Sequence, residues 1–160
     1  MKLRSSVKKG ISFGLTSGTI TTLGLMVGLY SGTNSALIVI GGIITIAIAD
    51  AMSDALGIHV SEESEKRNSR KNVWYATFST FLAKLIYALT FIIPVLLFDL
   101  KIAVIVSIVY GLLVLSILSY KIGMEHKGKG IKMVFEHLII AIIVLIVTYF
   151  VGYFISFGFS

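Results

Sequence analysis

Long apolar runs separated by short polar connections dominate the pattern of this chain. Each run is about as long as the roughly 20 residues that a helix needs to cross the hydrocarbon core of a bilayer. The alternation of apolar and polar residues that is typical of membrane-barrel strands is absent. The pattern therefore predicts one all-α domain over residues 1–160 with five transmembrane helices, at about 11–30, 36–60, 73–98, 102–120 and 133–157.

The composition agrees with a chain that sits in a bilayer. The chain is 56% hydrophobic and only 14% charged, whereas a soluble domain has about 45–50% apolar and about 25% charged residues. Its mean hydropathy is +0.95. There is no cysteine, which excludes disulfides, thiolate metal sites and cysteine nucleophiles. We therefore expect an integral protein of a cell or organelle membrane whose first apolar run is a retained helix, since that run is long for a signal peptide.

The basic residues predict the orientation of the helices. The net charge is +6, and twelve of the 14 lysines and arginines lie in three segments: the N-terminus and the connections after the second and fourth helices. Five helices place these three segments on one side, and lysine and arginine favour the cytoplasmic side. The N-terminus is therefore predicted to be cytoplasmic. The bilayer accounts for the positive charge, so no nucleic-acid partner is expected.

The first predicted helix is rich in glycine at helical spacing. Gly10, Gly14 and Gly18 are four residues apart, and Gly24 and Gly28 repeat the spacing. Small residues at this spacing let a second helix backbone approach closely. The partner helix could belong to the same chain, or to a second copy in a homodimer that meets through this helix.

Two aspartates interrupt the second apolar run in the stretch "ADAMSDALG". Asp50 and Asp54 are four residues apart, so they lie on nearly the same face of a helix, one turn apart. Two such carboxylates do not both ionise in a low dielectric unless a cation is near. One interpretation is a site that exchanges protons for a divalent cation. The other is structural, with the aspartates neutral or paired to Lys84, which lies too deep in the third run to reach water easily.

Other polar side chains are weaker candidates for the same chemistry. The hydroxyls of Ser17 and Thr21 could complete an oxygen shell for a hard cation, although such hydroxyls commonly bond to their own helix backbone. Glu62 and Glu63, near the end of the second helix, could gather cations at the cytoplasmic mouth or simply form a solvated face. No phosphate loop, metalloprotease helix or catalytic triad motif is present, so we do not expect an enzyme.

Several stretches resemble the vacuolar iron transporter family. "ISFGLTSGTITTLGLMVGL" resembles the family's first helix, and "GGIITIAIADAMSDALGIHVSEESE" resembles its second. Pro94 falls where the family's third helix has a proline, and "VTYFVG" is similar to part of the fifth. The resemblance covers almost the whole chain. It implies a five-helix homodimer that exchanges cytosolic Fe²⁺ or Mn²⁺ for protons, with the metal as transported substrate and no permanently bound cofactor.

The chain departs from the family pattern in ways that bear on the site. The family's first-helix aspartate falls on Ser17, and its second-helix methionine falls on Asp54. The glutamate-rich cytoplasmic domain of the iron-storage branch is replaced by "SEESEKRNSRKN". A carboxylate in place of a thioether would shift the site toward harder cations such as Mn²⁺.

The sequence thus leads to one principal functional hypothesis and two alternatives. The principal hypothesis is a divalent-metal/proton antiporter that exports metal from the cytoplasm and uses Asp50 and Asp54 alternately for metal and protons, with Lys84 tuning their charge. The first alternative is a non-transporting membrane scaffold or regulatory subunit that holds the same residues as a structural network. The second is a small-molecule/proton antiporter.

Overall fold

Five long helices and one short one form the computed structural model, which describes residues 2–65, 68–125 and 128–159, with side chains from residue 5 onward. No strand occurs within these ranges, so the predicted all-α class is confirmed. Five spans, counting α3 and α4 as one, are long and apolar enough to cross a membrane. The helices are α1 Lys2–Thr33, α2 Ala36–Ser64, α3 Arg70–Thr90, α4 Ile92–Leu97, α5 Leu100–Glu125 and α6 Gly130–Phe159.

The long helices are longer than the apolar runs from which they were predicted, because the polar residues on either side continue the helical hydrogen bonding.

Local capping sets two of the helix starts. Asn34 adopts a left-handed φ of 46° in the turn after α1, a conformation that asparagine tolerates better than most residues. Ser35 then caps α2 by accepting from the Ile38 N–H at 3.4 Å, and Ser69 caps α3 by accepting from the Asn72 N–H at 3.4 Å.

The third span is broken near its end, where the sequence predicted one continuous helix. Pro94 has no N–H to donate to the Thr90 carbonyl, and its ring crowds that carbonyl. The helix accordingly ends at Thr90 and resumes at Ile92 as α4. The Thr90 hydroxyl donates to the Tyr87 carbonyl at 2.6 Å and lies 3.2 Å from Tyr110 Oη on α5.

Helix α1 lies at the centre of the bundle, where it packs against α2, α3, α5 and α6. Its glycines face two of these neighbours. A Cβ on Gly14 or Gly18 would meet Thr80, Ala83 or Lys84 of α3, and a Cβ on Gly24 or Gly28 would meet Val144 or Thr148 of α6. These glycines therefore let α3 and α6 pack closely against α1 within one chain. A homodimer that meets through this helix stays a prediction.

The apolar core and the apolar exterior have different compositions. Leu23, Met26, Ile43 and Phe91 belong to a buried cluster between the helices, which makes Met26 a core residue. The outer faces carry exposed isoleucine, leucine and phenylalanine, most densely on α6, where only 11% of the most apolar 18-residue stretch is buried. Such a helix suits direct contact with lipid.

One end of the bundle gathers the described parts of the predicted basic segments. Lys8 pairs with Glu125, and Lys9 pairs with Glu62 and, at 3.4 Å, with Glu65. These contacts bring the start of α1 to the ends of α2 and α5, so the three segments share one end. The side of the membrane that this end faces stays a prediction. Lys66, Arg67 and Lys127, which belong to the same segments, lie outside the described residues.

The packing of α1 on α3 gives a stability prediction. A Cβ on Gly14 would lie 2.7 Å from the Thr80 carbonyl oxygen and 3.2 Å from the Lys84 nitrogen, both backbone atoms. We expect Gly14→Ala to lower the free energy of unfolding by about 1–3 kcal/mol, the usual cost of overpacking. Unfolding in a mixed-detergent titration followed by circular dichroism measures this quantity.

Gly57→Ala on α2 is the matched control. A Cβ there would have no neighbour within 4 Å, so the substitution should leave stability unchanged or raise it by up to about 1 kcal/mol through helix propensity. Equal stability of the two variants would contradict the close packing of α1 on α3.

Candidate functional site

A lysine and two aspartates meet inside the bundle. Lys84 Nζ of α3 lies 2.5 Å from Asp50 Oδ2 and 2.5 Å from Asp54 Oδ2, both on α2. It also donates to Ser17 Oγ of α1 at 2.9 Å. Only 1% of the lysine side chain is exposed. We call these four residues the charged cluster.

Small residues on the neighbouring helices make room for the charged cluster. Ala47, Ala51 and Ala55 form the buried stripe of α2 beside the aspartates, and alanine lets two helices approach closely. On α1, a Cβ at Gly18 would lie 3.3 Å from Lys84 Cγ, so the stem of the lysine runs along a surface that lacks a side chain. The ammonium therefore reaches α2 while its stem stays buried.

The three charged groups are not equivalent in their contacts. Asp54 Oδ2 accepts a hydrogen bond from Lys84 Nζ. Asp50 Oδ2 is as close to the ammonium but lies outside hydrogen-bonding geometry, and among the described residues this buried oxygen has no hydrogen-bond donor. With all three groups ionised the charged cluster carries one negative charge. Asp50 Oδ2 therefore contacts the ammonium as an ion pair without a hydrogen bond, whereas Asp54 Oδ2 makes both contacts.

The aspartates, and not the lysine, form the accessible side of the charged cluster. The side chains of Asp50 and Asp54 are 25% and 19% exposed, against 1% for Lys84. A buried ammonium without counter-charge would be strongly unfavourable in a membrane interior, and the two carboxylates offset that cost. The exposed part of the charged cluster therefore belongs to the two aspartates.

Thr21 lies apart from the charged cluster. Its hydroxyl donates to the Ser17 carbonyl at 3.0 Å, the common backbone bond of helical threonine. The residue lines an apolar groove of about 610 Å³ between α1, α2 and α6. Of the two hydroxyls proposed from the sequence, the structure brings only that of Ser17 to the ammonium.

Glu62 and Glu63 are adjacent in sequence but have different surroundings. Glu62 is buried, pairs with Lys9, and accepts from Asn68 Nδ2 at 2.9 Å. Glu63 is exposed and lines a separate polar cavity with His59 and Arg70. In the described ranges, no group of three or more histidine, aspartate or glutamate side chains is arranged to hold a metal ion.

Buried hydroxyls outside the charged cluster lie on α1, α3 and α5, and those of Tyr87 and Ser107 were not predicted from the sequence. Tyr87 Oη is 3.3 Å from Thr19 Oγ1 of α1, and the Tyr87 and Tyr110 ring centroids are 5.8 Å apart. The hydroxyls of Thr22 and Ser107 are buried, and neither has a hydrogen-bond partner in the part of the chain that is described. The hydroxyl-rich first helix and a tyrosine three residues after Lys84 are the sequence signals for these hydroxyls.

Comparison with protein-family models and with curated proteins finds no match to the sequence. The fold and the site therefore define the class of protein by themselves. It is an all-helical, membrane-embedded protein with five helices long enough to cross a bilayer. Within that class it is distinguished by a buried lysine held between two aspartates of a neighbouring helix.

Proposed function

We propose that the protein is a cation/proton antiporter that exports a divalent transition metal from the cytoplasm. One observation carries the proposal: two carboxylates and one hydroxyl surround an ammonium group within a membrane helix bundle. The ammonium is a cation supplied by the protein itself. The same oxygens can hold a transported cation when the lysine moves away or loses its proton.

The exchange follows from competition for two carboxylates. A divalent cation between Asp50 and Asp54 would neutralise both charges and displace Lys84. Protons arriving from the other side would neutralise the same oxygens and release the cation. Because cation and protons use the same groups, each leaves when the other binds, which is the requirement for antiport.

The donor set supports a hard cation. Asp50, Asp54 and Ser17 offer only oxygen, which suits Mg²⁺ and Mn²⁺. Met52 is 60% exposed and lines a different groove with Trp74, so the charged cluster contains no thioether. Because the protein supplies only these few oxygens, water molecules can complete the coordination shell of the cation, as is usual when Mg²⁺ is held by one or two carboxylates. Between Fe²⁺ and Mn²⁺, we propose Mn²⁺ as the preferred substrate.

The distribution of lysine and arginine supports a cytoplasmic N-terminus, and the five apolar spans support a cell or organelle membrane as the location. The sequence resemblance to vacuolar iron transporters supports a homodimer. In this proposal, the paired lysines and glutamates at the basic end, Lys9 with Glu62 among them, form the cytoplasmic mouth.

The direct test is transport by the purified full-length protein in liposomes. We expect external Mn²⁺ to drive proton movement in the opposite direction, recorded with a trapped pH dye, while a metal-sensitive dye reports Mn²⁺ uptake. Mn²⁺ should outcompete Fe²⁺ at equal concentration, the latter under anaerobic conditions. Uptake equal to that of empty liposomes for both metals would overturn the proposal.

A structural role is the second candidate, favoured by the number of contacts that the lysine makes. The ammonium donates hydrogen bonds to Asp54 Oδ2 and Ser17 Oγ and forms an ion pair with Asp50. A scaffold would keep this arrangement and show no flux of metal or protons. Proton release driven by an organic substrate without metal would instead support the small-molecule antiporter.

A further inference from the structure

Two adjoining cavities lie between α2 and α3, away from the charged cluster. The first, of about 370 Å³, is lined almost wholly by apolar side chains, with Phe78 and Phe81 among them. The second, of about 360 Å³, is polar and is lined by Glu63 and Arg70. His59 and Trp74 line both cavities. The rings of these two residues contact each other edge to face, with centroids 4.8 Å apart, at the border of the two cavities. We call the two cavities together the α2–α3 groove, with a polar end and an apolar end.

The polar end carries one charge of each sign, and the two do not neutralise each other. Glu63 and Arg70 both line it, but in the described ranges neither forms an ion pair within 4.0 Å. Separated opposite charges in one cavity are complementary to a ligand that is itself zwitterionic. A purely anionic ligand would meet the carboxylate, and a purely cationic ligand would meet the guanidinium.

His59 adds an acceptor on the border between the two ends. Its Nδ1 lies 3.0 Å from Thr77 Oγ1, and the single proton of that hydroxyl is donated to the Val73 carbonyl at 2.8 Å. Nδ1 must therefore be the donor to Thr77. In the neutral ring this leaves Nε2 as an acceptor.

The position of the groove along the helices matches the depth of a lipid. Arg70 is the first residue of α3, and Trp74, one turn later and 44% exposed, is of the type enriched at membrane–water interfaces. From Trp74 to Phe81 the apolar end continues for about 10 Å along the helix. We infer from these residues that the polar end lies at headgroup level and that the apolar end extends toward the acyl chains.

We propose that the α2–α3 groove binds one zwitterionic phospholipid with a primary amine, that is, a phosphatidylethanolamine. Arg70 would bind the phosphate, Glu63 and His59 would accept hydrogen bonds from the ammonium, and an acyl chain would lie along Phe78 and Phe81. A choline headgroup has no N–H to donate, and an anionic glycerol headgroup has no cation for Glu63. This lipid site is independent of the proposed transport function.

Trp74 is the only tryptophan of the chain and lines both cavities, so the protein's tryptophan fluorescence reports on lipid contact at this groove. The test uses purified full-length protein in mixed micelles with lipids whose acyl chains are brominated, since bromine quenches tryptophan on contact. We expect half-maximal quenching at a roughly tenfold lower mole fraction of phosphatidylethanolamine than of phosphatidylcholine, the effect of one charge-assisted hydrogen bond. Phosphatidylglycerol should quench no better than phosphatidylcholine.

Two variants and one control attribute the preference to named residues. Glu63→Gln should remove the preference for ethanolamine over choline, and Arg70→Gln should weaken quenching by both phospholipids. Glu136→Gln, an exposed glutamate near the start of α6 that pairs with Lys132, should behave as wild type. Equal quenching by the three lipids in the wild type, or a preference that survives both groove variants, would overturn the proposal. Circular dichroism confirms that each variant is folded.

Discussion

Replacing Lys84 with methionine is expected to lower the free energy of unfolding by about 3–5 kcal/mol, the usual loss when one partner of a buried ion pair is removed. Methionine keeps the length and the apolar stem of the lysine, so the effect isolates the ammonium. Asp50 and Asp54, which each lie 2.5 Å from Nζ, would face each other without a counter-charge. The measurement is the mixed-detergent unfolding titration.

A triple variant tests whether charge, and not packing, causes that loss. Lys84→Met combined with Asp50→Asn and Asp54→Asn removes all three charges together. Because replacing a whole buried ionic group is often nearly neutral, most of the lost stability should return. A triple variant as unstable as Lys84→Met alone would show that the lysine stabilises the bundle through shape and not through its charge.

The Lys84→Met variant also distinguishes transport from a purely structural role. If the two carboxylates hold a cation, Mn²⁺ should take the place of the missing ammonium and stabilise this variant. At a concentration about 100 times the dissociation constant the gain is about 2.7 kcal/mol. The triple variant, which has no carboxylate left in the charged cluster, should gain nothing. Failure of Mn²⁺ to stabilise Lys84→Met would favour the scaffold.

The second large effect concerns transport. The double variant Asp50→Asn plus Asp54→Asn is expected to reduce Mn²⁺ uptake and coupled proton movement to the level of empty liposomes. Asparagine keeps the shape of aspartate but neither releases a proton nor balances the charge of a divalent cation. The liposome assay with both dyes measures the two fluxes in the same sample.

Asp99→Asn is the matched control for this double variant. Asp99 is the third aspartate of the chain and is exposed just before α5, so its substitution should leave both fluxes unchanged. Metal flux that persists in the double variant would place the transport site elsewhere in the protein. Loss of flux in Asp99→Asn as well would point to a general effect of removing negative charge.

Local periodicity explains which parts of the site were predictable. The four-residue spacing of Asp50 and Asp54 puts them on one helix face in any straight helix, and both do contact the same group. The length of the apolar runs likewise predicted the five spans. The break at Phe91 was not predicted, although Pro94 was visible, because a proline in a membrane helix either kinks it or is accommodated by its neighbours.

Contacts between helices could not be read from the same pattern. Thr21 and Ser17 are one turn apart on α1, yet Ser17 Oγ reaches Lys84 whereas Thr21 borders an apolar groove. Glu62 and Glu63 are neighbours, yet one is buried against Lys9 and the other is exposed beside Arg70. Glu62 and Glu63 point about 100° apart, so the rotation of α2 against its partners decides which of them is buried. Ser17 and Thr21 share a helix face but lie one turn apart, so the level at which α3 and α6 cross α1 decides their surroundings.

The sequence by itself determined that the chain is a membrane protein with five spans. It also determined that the basic segments share one end of the bundle and that the two aspartates lie on one helix face. Each follows from a run length, a charge count or a helical repeat, which are local quantities. The tertiary structure alone decided that the glycines of α1 pack inside the chain, and that Lys84 lies between Asp50 and Asp54. These depend on which helix faces which, and that is set by the packing of side chains far apart in sequence.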